Sequence, residues 1–219
     1  MRFRIDLKIF LFLIIFYLTR QFQIYVMMII FAIIHELGHL MMGLILGLKP
    51  EKIELMPLGL SISFKLNVED INSKKGKANK KVLKEILIAL AGPVTNLIIL
   101  IVTYIWFIEL SYSHLIIYAN LLIFIFNLLP IYPLDGGRVL NGILHIIFGR
   151  IEARKLCYDI SMIVTIILTA VSSIAILYYK NIAIFLIIVY VWVMLLKETV
   201  VNRRIRKLYQ NLNNSSINN

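Results

Sequence analysis

His35-Glu36-Leu37-Gly38-His39 interrupts an otherwise apolar run from Ile24 to Leu48. Residues four apart share a helix face, so in a helix both imidazoles can turn toward one metal ion. An H-E-x-x-H helix of this kind suits Zn²⁺. Glu36, one position on from His35, can reach a water at that ion and act as its general base. The chemistry on offer is hydrolysis. At this chain's own frequencies of His and Glu, the pattern arises by chance in about one such sequence in four hundred. Two histidines and a glutamate inside a hydrophobic segment are costly unless they face protein, water or metal. A functional cluster is therefore expected ahead of a metal-free polar one.

A tetrahedral catalytic zinc takes three protein ligands and leaves its fourth position to water. Only Glu36, Glu109 and Asp135 lie in or directly beside hydrophobic segments and away from the charged loops. Glu109 falls at the outer end of a span, on the wrong side. Asp135 closes the run Asn127 to Arg138 (NLLPIYPLDGGR), whose two prolines and two glycines break a helix. Irregular backbone at membrane depth is tolerated only where it is buried in protein or lines a cavity. Asp135 is the expected third ligand, beside His35 and His39.

The elements that must position these groups are written in the hydropathy. The 219 residues are 60% hydrophobic, with a mean hydropathy of +0.87, above the range of soluble domains. Six apolar segments stand out, at about Ile9–Thr19, Ile24–Leu48, Ile86–Ile108, Leu115–Leu129, Ile160–Tyr179 and Ile182–Leu196. The expected fold is an all-α polytopic membrane protein with about six transmembrane helices. Residues 1–200 form its embedded domain, and 201–219 are a polar tail expected to be disordered.

The net charge of +11 would suggest nucleic acid in a soluble protein. Here it follows topology. With a cytoplasmic N-terminus, the inner segments Met1–Lys8, Lys49–Glu85, Asp135–Asp159 and Lys197–Asn219 carry 21 of the 23 Lys and Arg. The positive-inside rule then puts both termini in the cytoplasm, and no nucleic acid is needed. The single cysteine, Cys157, excludes an internal disulfide framework.

One segment departs from the helical pattern. Leu58, Leu60, Ile62 and Phe64 alternate with Gly59, Ser61, Ser63 and Lys65, a period of two. A short membrane-associated strand is expected just after the zinc helix. Two readings of it stand open: an edge that takes an unwound substrate by strand addition, or an amphipathic hairpin on the membrane surface.

Taken together, the H-E-x-x-H of His35–His39, the Leu134-Asp135-Gly136 element and Ala91-Gly92-Pro93 followed by Asn96 resemble the site-2 proteases. These are intramembrane zinc metalloproteases. The likeness runs over roughly residues 8 to 200. Within the family the chain is most similar to the stage IV sporulation protein FB group, through Asn120 to Arg138 and Leu55–Gly59. The resemblance implies one Zn²⁺ per chain, held by His35, His39 and Asp135, with Glu36 activating water. It places Asn127 near the metal, either holding the substrate backbone or oxyanion or serving as a plain interhelical amide. Asn96 carries a weaker implication of the same kind.

The resemblance further implies a multi-pass protein of the bacterial cell membrane that cuts a membrane-associated protein. The substrate would be a sigma-factor precursor in sporulation, or else an anti-sigma factor or a signal-peptide remnant. Many members carry a C-terminal nucleotide-binding domain. About twenty polar residues follow the last apolar segment here, so nucleotide sensing by this chain is not expected. Regulatory membrane partners and oligomeric state are not written in the sequence. Two other classes compete. A transporter would usually show repeats, and none is found; a silent scaffold would lack one of His35, Glu36, His39 or Asp135, and all are present.

Overall fold

The computed structural model describes residues 2–5, 14, 17, 18, 22–56, 59–64, 75–179, 185 and 187–200. The first apolar segment falls outside them except at Ile14, Tyr17 and Leu18, and so does the whole of the polar tail. The chain divides into two compact units, Met1–Leu129 and Pro130–Asn219.

The first unit holds β1 (Arg2–Ile5), α1 (Phe22–Ile45), β2 (Pro50–Met56), β3 (Gly59–Phe64), α2 (Lys75–Trp106) and α3 (Ser113–Leu128). The three helices pack on one another, around Phe31 and Ala32 of α1 and Ala119 and Ile123 of α3. The strands form a sheet in the order β1-β2-β3. β2 and β3 are antiparallel, with Ile53 opposite Ile62 and Glu54 opposite Ser61. The strand β1 joins β2 in parallel, Phe3 beside Ile53. Its Arg-Phe-Arg-Ile alternation is only four residues long, too short to declare itself in a sequence.

α1 ends at a left-handed glycine. Gly47 has φ of +78°, Leu48 N–H donates to Gly43 O at 2.9 Å, and Gly47 N–H donates to Leu44 O at 2.9 Å. Those two bonds are the Schellman pattern, which glycine permits without strain. The Gly43/Gly47 spacing looks like a helix-packing step in the sequence; at Gly47 it is a helix stop.

The second unit holds α4 (Asp135–Phe148), α5 (Arg150–Tyr179) and α6, residues 187–200. Leading into α4, Pro130 to Leu134 runs without helix and contains a cis Tyr132–Pro133 bond. The sequence marks Asp135–Asp159 as an inner segment between spans; the structure makes all of it helix but Gly149, as α4 and the start of α5. Gly137 shows how that helix seats itself. A Cβ there would overlap the backbone of Ile131 and Tyr132, so only glycine lets the first turn of α4 lie on the segment before it.

Among the described residues, three helical stretches are long and apolar enough to cross a membrane: Phe22–Ile45, Asn79–Trp106 and Arg150–Tyr178. At 24, 28 and 29 residues they rise about 36 to 44 Å, against a hydrocarbon core of about 30 Å. α5 shows what surrounds them. Ile163, Ile166, Ile167, Val171 and Ile174 are exposed along one side, while Ser161 and Thr165 are fully buried on another. A water-soluble helix has the opposite arrangement. The buried hydroxyls bond back to their own helix, Ser161 Oγ to Cys157 O at 2.6 Å and Thr165 Oγ1 to Ser161 O at 2.7 Å. In hydrocarbon those hydroxyls need a partner, and the preceding turn supplies it. The chain is a helical membrane protein.

Candidate metal centre

α1 carries the two imidazoles, and α2 shapes the space around them. His35 and His39 are each 3% exposed. Both Nδ1 atoms meet acceptors on α2: His35 Nδ1 donates to Asn96 Oδ1 at 2.5 Å, and His39 Nδ1 donates to Ile88 O at 2.6 Å. A carbonyl oxygen can only accept, so the proton of each neutral ring sits on Nδ1. The Gly92 amide, 3.3 Å from His39 Nδ1, is then a neighbour of that atom and not its donor. Each Nε2 keeps its lone pair.

Those two Nε2 atoms lie 3.1 Å apart. Two lone pairs facing each other repel, and a cation between them turns repulsion into ligation. Tetrahedral zinc with bonds of about 2.0–2.1 Å sets neighbouring nitrogens about 3.3 Å apart, close to what α1 provides. The residues present fit the metal.

Gly92 explains why α2 carries Ala91-Gly92-Pro93. A Cβ on Gly92 would overlap the Nε2 atoms of both His35 and His39. Gly38 meets α2 in the same way, since a Cβ there would strike Thr95 Oγ1 and the Ala91 carbonyl. Small residues on both helices bring the backbones together at the level of the imidazoles. Pro93 is buried and lacks an N–H, so it leaves the ladder of α2 one donor short next to the site.

Glu36 follows His35 on α1 and is half-buried. Asn127 is also half-buried, near the end of α3, and donates from Nδ2 to Ile123 O one turn back at 3.1 Å. Asp135 belongs to the second unit. It is the first residue of α4 and is 6% exposed, at a helix end where backbone N–H groups favour an anion. Arg138, one turn on, approaches its Oδ1 at 3.5 Å. His35, His39 and Asp135 are thus three buried residues whose donor atoms suit a metal. Of the other histidines, His114 is exposed in the first turn of α3 and His145 lies in α4.

Sequence reasoning passed over Asn120. It is fully buried on α3 and accepts from Asn96 Nδ2 at 2.8 Å. It stands out in the sequence only as a polar residue within an apolar segment, at the start of the Asn120 to Arg138 run, and its partner lies 24 positions away.

The sequence that builds these helices matches a known family. The model for peptidase family M50 matches residues 23–112 and 108–171. The chain belongs to peptidase family M50, the site-2 proteases. It is 30% identical over 153 residues to a zinc metalloprotease of Methanocaldococcus jannaschii, covering 66% of this chain and 41% of that one. It is 29% identical over 129 residues to stage IV sporulation protein FB of Bacillus subtilis, covering 56% of this chain and 41% of that one. The chain thus spans about two fifths of the length of these curated relatives. A solved site-2 protease from Methanocaldococcus jannaschii shares the fold, with a TM-score of 0.66 over 89% of this chain and 88% of that one, at 24% identity.

Proposed function

We propose that the chain is an intramembrane zinc metalloendopeptidase acting on membrane-associated proteins. The observation that carries this reading is the pair of imidazoles, each with Nδ1 tied to an acceptor and with the Nε2 atoms 3.1 Å apart. His35, His39 and Asp135 would hold one Zn²⁺. Zinc supplies a Lewis acid that polarises a peptide carbonyl and makes water acidic enough to react near neutral pH. Glu36 accepts the proton of the attacking water on its carboxylate and returns it to the leaving amine nitrogen. Asn127 has spent one N–H on Ile123 O, and its second N–H is the one that would steady the substrate backbone or the oxyanion.

The third ligand is the part of the proposal most open to test. Asp135→Ala is expected to lower zinc affinity by more than the roughly 10–100-fold that follows loss of an outer-shell partner. Asp135→Asn should fail as well, because a neutral amide oxygen is a weak zinc ligand. Zinc content of the purified protein, with cleavage of a membrane-tethered test substrate, measures both. A full equivalent of zinc and normal cleavage in Asp135→Ala would remove Asp135 from the ligand set.

Substrate has to arrive extended, since a peptide bond inside a helix is shielded. β3 is one of the two edge strands of the sheet among the described residues, and it lies alongside α1. In this reading it takes the substrate by strand addition. Ser61→Pro and Ile62→Pro each delete one N–H, on opposite edges of β3. Proline at the position whose N–H points away from β2 should cut cleavage sharply without loss of zinc. Normal rates in both folded variants would end the strand-addition idea.

The six-span topology, with both termini cytoplasmic, belongs to the same proposal and rests on the distribution of Lys and Arg. A reporter fused after Asn219 should therefore be active on the cytoplasmic side; activity only outside would refute the span count. Stage IV sporulation protein FB among the relatives supports a sigma-factor precursor of sporulation as substrate. Co-expression with candidate precursors, scored by loss of the pro-sequence, tests that choice.

A further inference from the structure

The two nitrogens of His35 have different tasks, and what decides between them lies on other helices. Ile116 O on α3 can only accept. Asn120 therefore donates to it through Nδ2 at 2.9 Å, which turns Asn120 Oδ1 outward from that bond. Asn96 of α2 donates to this oxygen through Nδ2 at 2.8 Å, and so presents its own Oδ1 to His35 of α1. An amide oxygen can only accept, so His35 Nδ1 carries the hydrogen and Nε2 keeps the lone pair. Both asparagines are fully buried. Reversing either amide would set N–H against N–H or oxygen against oxygen, at side chains that bulk solvent does not reach.

We propose that Asn96 and Asn120 are positioning residues that fix the tautomer and ring orientation of His35, through one directional hydrogen-bond chain ending on the Ile116 carbonyl. The inference rests on the metal-binding reading above, and it extends that reading to two residues that touch no metal. It also gives the three-helix packing a chemical consequence, because α1, α2 and α3 each contribute a link. A merely interhelical role for the two amides would govern stability and leave the tautomer alone.

The experiment uses the full chain in detergent, labelled with ¹⁵N at histidine and stripped of zinc, with the His35 signals assigned from their loss in His35→Ala. Wild type should show His35 protonated on Nδ1. Asn96→Leu should bring in the Nε2-protonated form and lower zinc affinity about 10–100-fold in chelator competition. Asn96→Asp keeps an acceptor oxygen for Nδ1 and should hold the tautomer, while its second oxygen, now set against Asn120 Oδ1, should cost part but not all of the affinity that Asn96→Leu loses. Asn120→Leu should produce a smaller loss. Added to Asn96→Leu it should produce none, because the chain is already cut. The proposal is overturned if Asn96→Leu leaves both tautomer and zinc affinity unchanged, or if the losses at the two positions simply add. A wild-type protein that binds no zinc would sink the metalloprotease reading instead, and the tautomer signals alone would then decide this one.

Discussion

Glu36→Gln is expected to cut peptide cleavage about 10²–10⁴-fold, the span of general acid–base contributions, while zinc binding stays as it was. Glutamine matches glutamate in size and hydrogen-bonding reach, but its amide cannot take a proton at neutral pH. The two imidazoles do not depend on Glu36 for their orientation, since their Nδ1 atoms are held by Asn96 and by the Ile88 carbonyl. Zinc content and cleavage rate should therefore separate in this variant. Substantial turnover in the zinc-loaded Glu36→Gln protein would remove Glu36 from the role of base.

The second large effect is expected at a residue with no side chain. Gly92→Ala places a methyl group where the Nε2 atoms of His35 and His39 converge. The atoms in its way are the tips of two side chains and not backbone, so the rings can swing aside. Overpacking of this kind costs about 1–3 kcal/mol, and the fold is expected to survive. Ligation is not, because the displaced rings lose both their mutual spacing and their Nδ1 acceptors. Zinc affinity should fall at least about as far as the 10–100-fold typical of losing an outer-shell contact, and cleavage should go with it. The informative measurement is zinc stoichiometry of monodisperse, folded protein. A fully metallated Gly92→Ala protein would mean that α2 stands further from α1 than the structure places it.

The contrast between Glu36 and Gly92 shows where legibility stops. Glu36 is found by its position between two histidines, a relation contained within five residues of chain. Ala91-Gly92-Pro93 and Asn96 were visible only as a resemblance, because their meaning lies in α1, more than fifty positions earlier. Gly47 illustrates the converse error. Its four-residue spacing from Gly43 suggested helix packing, but its φ of +78° ends α1. The close approach of α1 to α2 occurs at Gly38, inside the metal motif itself.

What the sequence determined alone is what depends on local periodicity and on solvent. An i, i+4 pair of histidines faces one way in any α-helix, so a helix whose imidazoles could share a metal ion follows from composition and spacing. Apolar runs near twenty residues long must leave water whatever their neighbours do. Tertiary structure decided everything that requires two elements to meet. It paired β1 with β2, turned the segment after Leu134 into α4, and set Asn96 and Asn120 in one chain behind His35. The physical reason is that a hydrogen bond between helices leaves no periodic trace in either one. It needs a donor and an acceptor brought within about 3 Å, and only the packing of α1, α2 and α3 brings them there.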